Sequence, residues 1–151
     1  MRRKILLGLT LTTCLTAPAA AESWYGIYSA GDVIAYADAD SIARKGNIAH
    51  LEVMFSHFPD DYHKQTIEID CASYRYRIKA ASDYGAGRQY ISTPEFDTGW
   101  AELDQSMLQV DKNFACDGSN RTLTVADPFA DAEDYWYYYY YTDDTATPSA
   151  S

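Results

Sequence analysis

KQTIEIDCASYRYRIKA, residues 64–80, alternates twice. In its first half Ile67, Ile69 and Cys71 fall on one side and Glu68 and Asp70 on the other. In its second half Tyr74, Tyr76, Ile78 and Ala80 alternate with Arg75, Arg77 and Lys79. A period of two belongs to a strand with one buried and one wet face. Only Ala72 and Ser73 part the two runs, so an antiparallel hairpin is expected, although Ala-Ser is a poor tight-turn pair. The wet faces are acidic on one strand and basic on the other, which favours cross-strand pairing by a few tenths of a kcal/mol per exposed pair.

Working outward, residues 24–28 and 33–37 predict a first hairpin bent at Gly31. Residues 38–46 read as a connection, with Asp38, Asp40 and Ser41 as turn or capping oxygens and Gly46-Asn47 as a breaker. Residues 48–58 form the longest predicted strand, with Leu51, Val53 and Phe55 opposite His50, Glu52 and Met54. Residues 88–92 supply a sixth, after the turn 84–87.

The period then changes. Asp104 can cap a helix in which Leu103, Met107, Val110 and Phe114 recur at helical spacing, with Gly118 as a stop. Cys116 falls roughly 150° from the centre of that stripe. Either the helix unwinds before Cys116 or another face is packed.

Beyond Ala126 the acidic residues Asp127, Asp131, Glu133, Asp134, Asp143 and Asp144 meet no basic partner. Tyr135, Trp136, Tyr137, Tyr138, Tyr139, Tyr140 and Tyr141 interrupt them as one aromatic run, in which no two-faced pattern can show. We expect residues 126–151 to be a mobile acidic tail, with contact to a partner or docking as a strand or flap as the rival readings. Truncation after Ala126 is then expected to leave the fold intact.

Length allows one domain in residues 22–125. Residues 1–21 read as a signal peptide: Arg2, Arg3 and Lys4, an apolar run at 5–15 too short to span a bilayer, and small residues Ala19, Ala20 and Ala21. The rival reading is a lipid anchor on Cys14. The first 21 residues hold three of the twelve basic side chains and none of the 22 acidic ones, so the remainder carries nine against 22, a net of −13. Such a chain disfavours nucleic acid and anionic lipid as partners. No second apolar run approaches membrane-spanning length. Cys71 and Cys116 remain, and two cysteines in an exported chain most simply form one disulfide.

The order of these parts resembles the surface-adhesin protein E-like domain of exported bacterial proteins. The resemblance covers about residues 23–117 and is carried by Trp24, by VIAYADADS at 33–41, by Glu68-Ile69-Asp70-Cys71 with Tyr74-Arg75-Tyr76-Arg77, and by Trp100 ahead of the helix ending at Cys116. It implies an antiparallel sheet of about six strands with one C-terminal helix packed on it, an α+β fold, and it fits pairing of Cys71 with Cys116. It implies nothing for the aromatic tail.

Residues 57–63, His-Phe-Pro-Asp-Asp-Tyr-His, bring together two histidines and two carboxylates but match no zinc spacing, so a solvated acidic loop is expected. No serine sits in a Gly-x-Ser-x-Gly frame, and Gly85-Ala86-Gly87-Arg88 precedes no helix pattern that would cradle a phosphate. Tyr74, Tyr76, Trp24 and Trp100 are expected in the core. The chain therefore reads as an exported, non-enzymatic binding domain without cofactor or metal, a surface adhesin contacting extracellular proteins being the sharpest form of that reading. Its rivals are an envelope structural domain without external partner and a small metal-dependent hydrolase. Periplasm, cell surface and secretion all stay open, as does a homodimer.

Overall fold

The computed structural model describes residues 22–30, 32–93, 97–102 and 106–141. The expected signal segment, the bend at Gly31, the Asp104 cap with Leu103, and residues 142–151 lie outside them. The fold is α+β: one antiparallel sheet with a helix on each face. The strands are β1 (Trp24–Ala30), β2 (Val33–Lys45), β3 (Ile48–Phe58), β4 (Asp61–Asp70), β5 (Arg75–Tyr84), β6 (Tyr90–Ser92), β7 (Ala101–Glu102) and β8 (Thr124–Val125). Their order across the sheet is β6-β5-β4-β3-β2-β1-β8, and β7 adds to β5. The six strands expected from periodicity are β1 to β6.

The β4–β5 hairpin pairs as its charges predict. Glu68 faces Arg77 and Asp70 faces Arg75, and Arg77 closes on Glu68 at 2.5 Å. Ala-Ser is not the whole turn: residues 71–74 form it. Asp70 Oδ1 accepts the amides of Ala72 (3.0 Å) and Ser73 (3.2 Å), an Asx turn that takes over the work a glycine would do. Tyr74 is left at φ +54° and half-exposed, against the core placement expected for it. Its ring lies under the Lys112 ammonium, 4.1 Å away. Trp100 is also not core; Arg77 and Arg75 stack on it at 4.8 and 5.7 Å. Trp24 is fully buried, as expected.

Residues 38–45, expected as a connection, continue β2 instead. The buried Asp38 accepts the amides of Ser23 and Asp40. Ser41 Oγ donates to the Asp38 carbonyl and accepts the Glu52 amide at 2.8 Å. The polar residues that suggested a turn therefore stitch an irregular register, between Asp38 and Ala43, into the ladder.

Both sheet faces are covered. On one, Ala37, Leu51, Val53, Ile67 and Ile69 pack with Phe114 and Ala115. Phe114 and Ala115 come after helix α1 (Ser106–Lys112), which continues as a π-helical turn, Asn113–Asp117. That turn resolves the phase of Cys116. An i→i+5 turn inserts one residue and rotates the side chains beyond it, so Cys116 comes round to Cys71, with Cα atoms 5.8 Å apart and the disulfide formed. Gly118 ends the segment at φ +71°, the left-handed conformation a C-terminal cap needs. Arg44 and Arg121 donate to the carbonyls of Cys116 and Phe114 that the helix end leaves unpaired.

Asp111, three residues before Phe114 in regular α1, also lies on the sheet side, where it is 4% exposed. Burial alone pushes its pKa up from 3.8 to about 7. An acid raised in the fold costs nothing below its unfolded value, and a penalty grows as pH rises from about 4 to about 7. A shift of that size corresponds to about 4 kcal/mol. Asp111→Asn should therefore match the parent near pH 4 and exceed it in stability by up to about 4 kcal/mol at pH 8. Urea unfolding at both pH values checks this; parallel pH profiles would show a solvated carboxyl.

The other face is closed by helix α2, Pro128–Tyr141. Trp24, Ile34, Tyr36, Met54, Tyr62 and Val125 meet Ala132 and Trp136 there, with Phe129 and Tyr135 alongside. Residues 126–141 are thus not a mobile tail but one covering layer of the sheet. Met54, assigned by alternation to a wet face, is fully buried because this helix lies on it.

Candidate binding site

Helix α2 starts on a strong local signal. Asp127 Oδ1 accepts the amides of Phe129 (3.0 Å) and Ala130 (3.2 Å), and Pro128 takes the first helical position. Arg88 anchors this end through Asp127 at 2.6 Å and Glu133 at 3.6 Å. Phe129, Ala132 and Trp136 then recur at helical spacing and face the sheet. Tyr36 donates its hydroxyl to Asp131 at 2.8 Å. Burial first, and Asp131 second, push the Tyr36 pKa far up, so it stays a donor. Trp136 is pinned: its Nε1 donates to Ser56 Oγ at 2.7 Å, and Ser56 donates on to the Phe58 carbonyl. The Phe58 ring stacks on Trp136 with centroids 6.4 Å apart.

The α2 helix and the β3–β4 turn enclose a groove of about 570 Å³. Pro59 and Asp60 form one wall, Glu133, Tyr137 and Tyr140 the other, and Trp136 and Tyr62 complete the lining. Asp60 sits at φ +65°, a conformation Asp tolerates better than most residues. Tyr62 is fully buried, yet its hydroxyl completes no hydrogen bond among the described residues. Burial raises its pKa against an opposing pull from the Asp60 backbone. The hydroxyl is closed off from the groove, so Tyr62 offers it a ring rather than a polar group. Around the groove, Phe58, Tyr137 and Tyr138 are each more than half exposed, and Tyr139 and Tyr140 are exposed as well.

The aromatic run expected as a partner contact thus divides. Trp136 belongs to the core and Tyr135 packs half-buried against it. Tyr137, Tyr138, Tyr139 and Tyr140 form the outer surface, and the Tyr141 side chain lies outside the described residues. Sequence reasoning weighed Pro59, Asp60 and Tyr62 only within the 57–63 stretch, as a metal candidate or solvated loop, and Glu133 only within the acidic run, and did not bring them together. The only legible clue was the pairing of an Asp-Pro helix start with Phe129, Ala132 and Trp136.

Residues 57–63 are not a solvated loop either. His57 lies in β3, which ends at Phe58, and His63 lies in β4, with only Pro59 and Asp60 between the strands. His63 Nδ1 meets Asp83 at 2.8 Å and Nε2 meets Asp61 at 3.0 Å. Both nitrogens can donate only when the ring is charged. The His63 hydrogen bond holds Asp83 below the usual carboxylate range, so this contribution is present above the unfolded carboxylate pKa and lost as pH falls through the folded one. Among the described residues no group of three or more His, Cys, Asp or Glu could hold a metal ion. We expect His63→Ala to lower stability by about 1 kcal/mol at neutral pH, the worth of a charge-assisted bond discounted for partial exposure. A urea midpoint unchanged from the parent would return the solvated reading.

No family model, curated protein or solved structure matches this chain. Any likeness to the adhesin E-like domain therefore rests on short motifs such as Asp70-Cys71 with Tyr74-Arg75-Tyr76-Arg77. Among the described residues no helix is long and apolar enough to cross a membrane.

Proposed function

We propose that the chain is an exported, non-enzymatic binding domain whose α2 groove receives a basic, extended segment of a partner protein. The observation that carries this is the aromatic groove of Trp136 and the exposed Tyr137 and Tyr140, flanked by Asp60 and Glu133. Tyrosine and tryptophan supply large contact area with little loss of side-chain freedom. The carboxylates and the net charge of −13 expected for residues 22–151 select positive partners. Arg or Lys side chains also gain from aromatic faces. The disulfide is compatible with an oxidising compartment outside the cytoplasm. Adhesion to extracellular proteins is the specific form of this function that the motif resemblance favours.

Displayed random peptides provide the test. The parent domain should enrich sequences with Lys or Arg, and Tyr137→Ser with Tyr140→Ser should not, while its unfolding midpoint changes by no more than a few degrees, since Tyr137 is 60% and Tyr140 42% exposed. Equal enrichment by parent and variant, or enrichment by neither, would sink the reading. Protease accessibility on intact cells then separates a surface adhesin from an envelope domain, which stays protected.

A further inference from the structure

A second cavity lies on the opposite face of the sheet, between α1 and strands β2 to β5. It holds about 290 Å³ and is lined chiefly by apolar side chains, among them Val53, Ile67, Ile78 and Leu108, with His57, Gln65 and Asp111 as its polar members. Three observations distinguish it from a packing defect. Asp111 is 4% exposed, and no hydrogen bond or neighbouring charge among the described residues acts on it. The adjacent cation is already engaged, since Lys112 places its ammonium over the Tyr74 ring. The volume is also too large to be an incidental void: a dry apolar cavity of about 150 Å³ already admits benzene.

A buried carboxylate needs a cation or donors at its oxygens, and here the protein supplies none within the described residues. We propose that this cavity is a binding site for a small arylalkyl ammonium compound, its ring among Val53, Ile67 and Ile78 and its ammonium on the Asp111 carboxylate. About twice the benzene-sized volume accommodates one ring with a short aminoalkyl arm. A mostly apolar pocket whose one carboxylate is Asp111, with His57 and Gln65 as its other polar groups, is selective in a defined sense. It favours the amine over a neutral compound of the same shape, and it excludes the matching carboxylate by like-charge repulsion. The site is separate from the α2 groove and does not depend on the function proposed for it.

The probes are 2-phenylethylammonium, 2-phenylethanol and phenylacetate, titrated into the 22–151 chain with the disulfide intact. Methyl NMR signals of Val53, Ile67 and Ile78 report occupancy of this cavity rather than of the α2 groove. We expect saturable shifts with the amine, binding of the alcohol about tenfold weaker or less, as loss of one charge-assisted bond requires, and none with phenylacetate. Asp111→Asn should keep the weak alcohol binding and lose the preference for the amine. The proposal fails if the amine moves none of these methyl signals at millimolar concentration. It fails equally if Asp111→Asn retains the preference.

Discussion

Truncation after Ala126 is expected to unfold the domain at physiological temperature, the reverse of what an acidic tail would allow. The cut removes Phe129, Ala132 and Trp136, and it uncovers Trp24, Tyr36, Met54 and Tyr62 across one whole face of the sheet. Loss of a buried tryptophan alone costs about 3–5 kcal/mol, against a typical domain stability of about 5–15 kcal/mol. It also strands Ser56, which is fully buried and accepts the Trp136 indole N–H. Trp136→Ala is the milder version and should lower stability by about 3–5 kcal/mol, while truncation after Tyr141 keeps the helix. Circular dichroism and thermal unfolding of the three forms decide the matter. A truncated chain that melts where the parent does would mean that α2 is no part of the folded core.

The second large effect is expected at the disulfide. Cys71 and Cys116 are 45 residues apart, and closing a loop of that length removes on the order of 4 kcal/mol of unfolded-chain entropy in the simple loop model. The bond also ties the β4–β5 turn to the π-helical turn, which otherwise rests on Phe114, Ala115 and hydrogen bonds from Arg44 and Arg121. Cys71→Ala should therefore cost about 2–5 kcal/mol, and protein recovered from the exported fraction should carry no reactive thiol. Thiol titration under denaturing conditions and urea unfolding check the two halves separately. Two titratable thiols in that fraction would mean that the bridge is not made in the cell.

The strands were legible because alternation survives wherever one face is wet, as in Asp70, Arg75 and Arg77, although Glu68 in the same pattern is buried beneath its pairing with Arg77. It misled at Met54, since a residue facing the second helix looks like an interruption until that helix is known. Asp38 and Ser41 misled for the opposite reason: turn-forming oxygens also stabilise an irregular strand, and only the ladder decides which they do. The α1 phase was readable to within one inserted residue. The conflict at Cys116 was itself the trace of the π-helical turn, while Asp111, ahead of that turn, reached the sheet as a carboxyl that the apolar stripe had not included. The α2 helix was hidden by its own composition, because five consecutive tyrosines erase the contrast on which a helical period depends. The groove could not be read at all, since its two walls come from residues 59–62 and 133–140 and meet only through the fold.

The rim of the sheet has a consequence for self-association. Its long strands β2, β3 and β4 are interior, and the outermost are β6, with three residues, and β8, with two. Along β5 the outer backbone is screened in patches. Asp83 and Tyr84 pair with β6, Arg75 and Tyr76 pair with β7, and between them Ile78 exchanges hydrogen bonds with Thr98. On the far side β8 and the Leu123 carbonyl occupy Trp24, Tyr25 and Gly26. Two stretches of described backbone stay open, residues 27–30 on the outer side of β1 and residues 40–45 of β2 beyond its pairing with β1, so the rim is covered in part and its open runs are short. The tyrosines at 137–140 sit on α2, where their peptide groups are engaged along the helix instead of being held out as a sheet edge on which a fibril could grow.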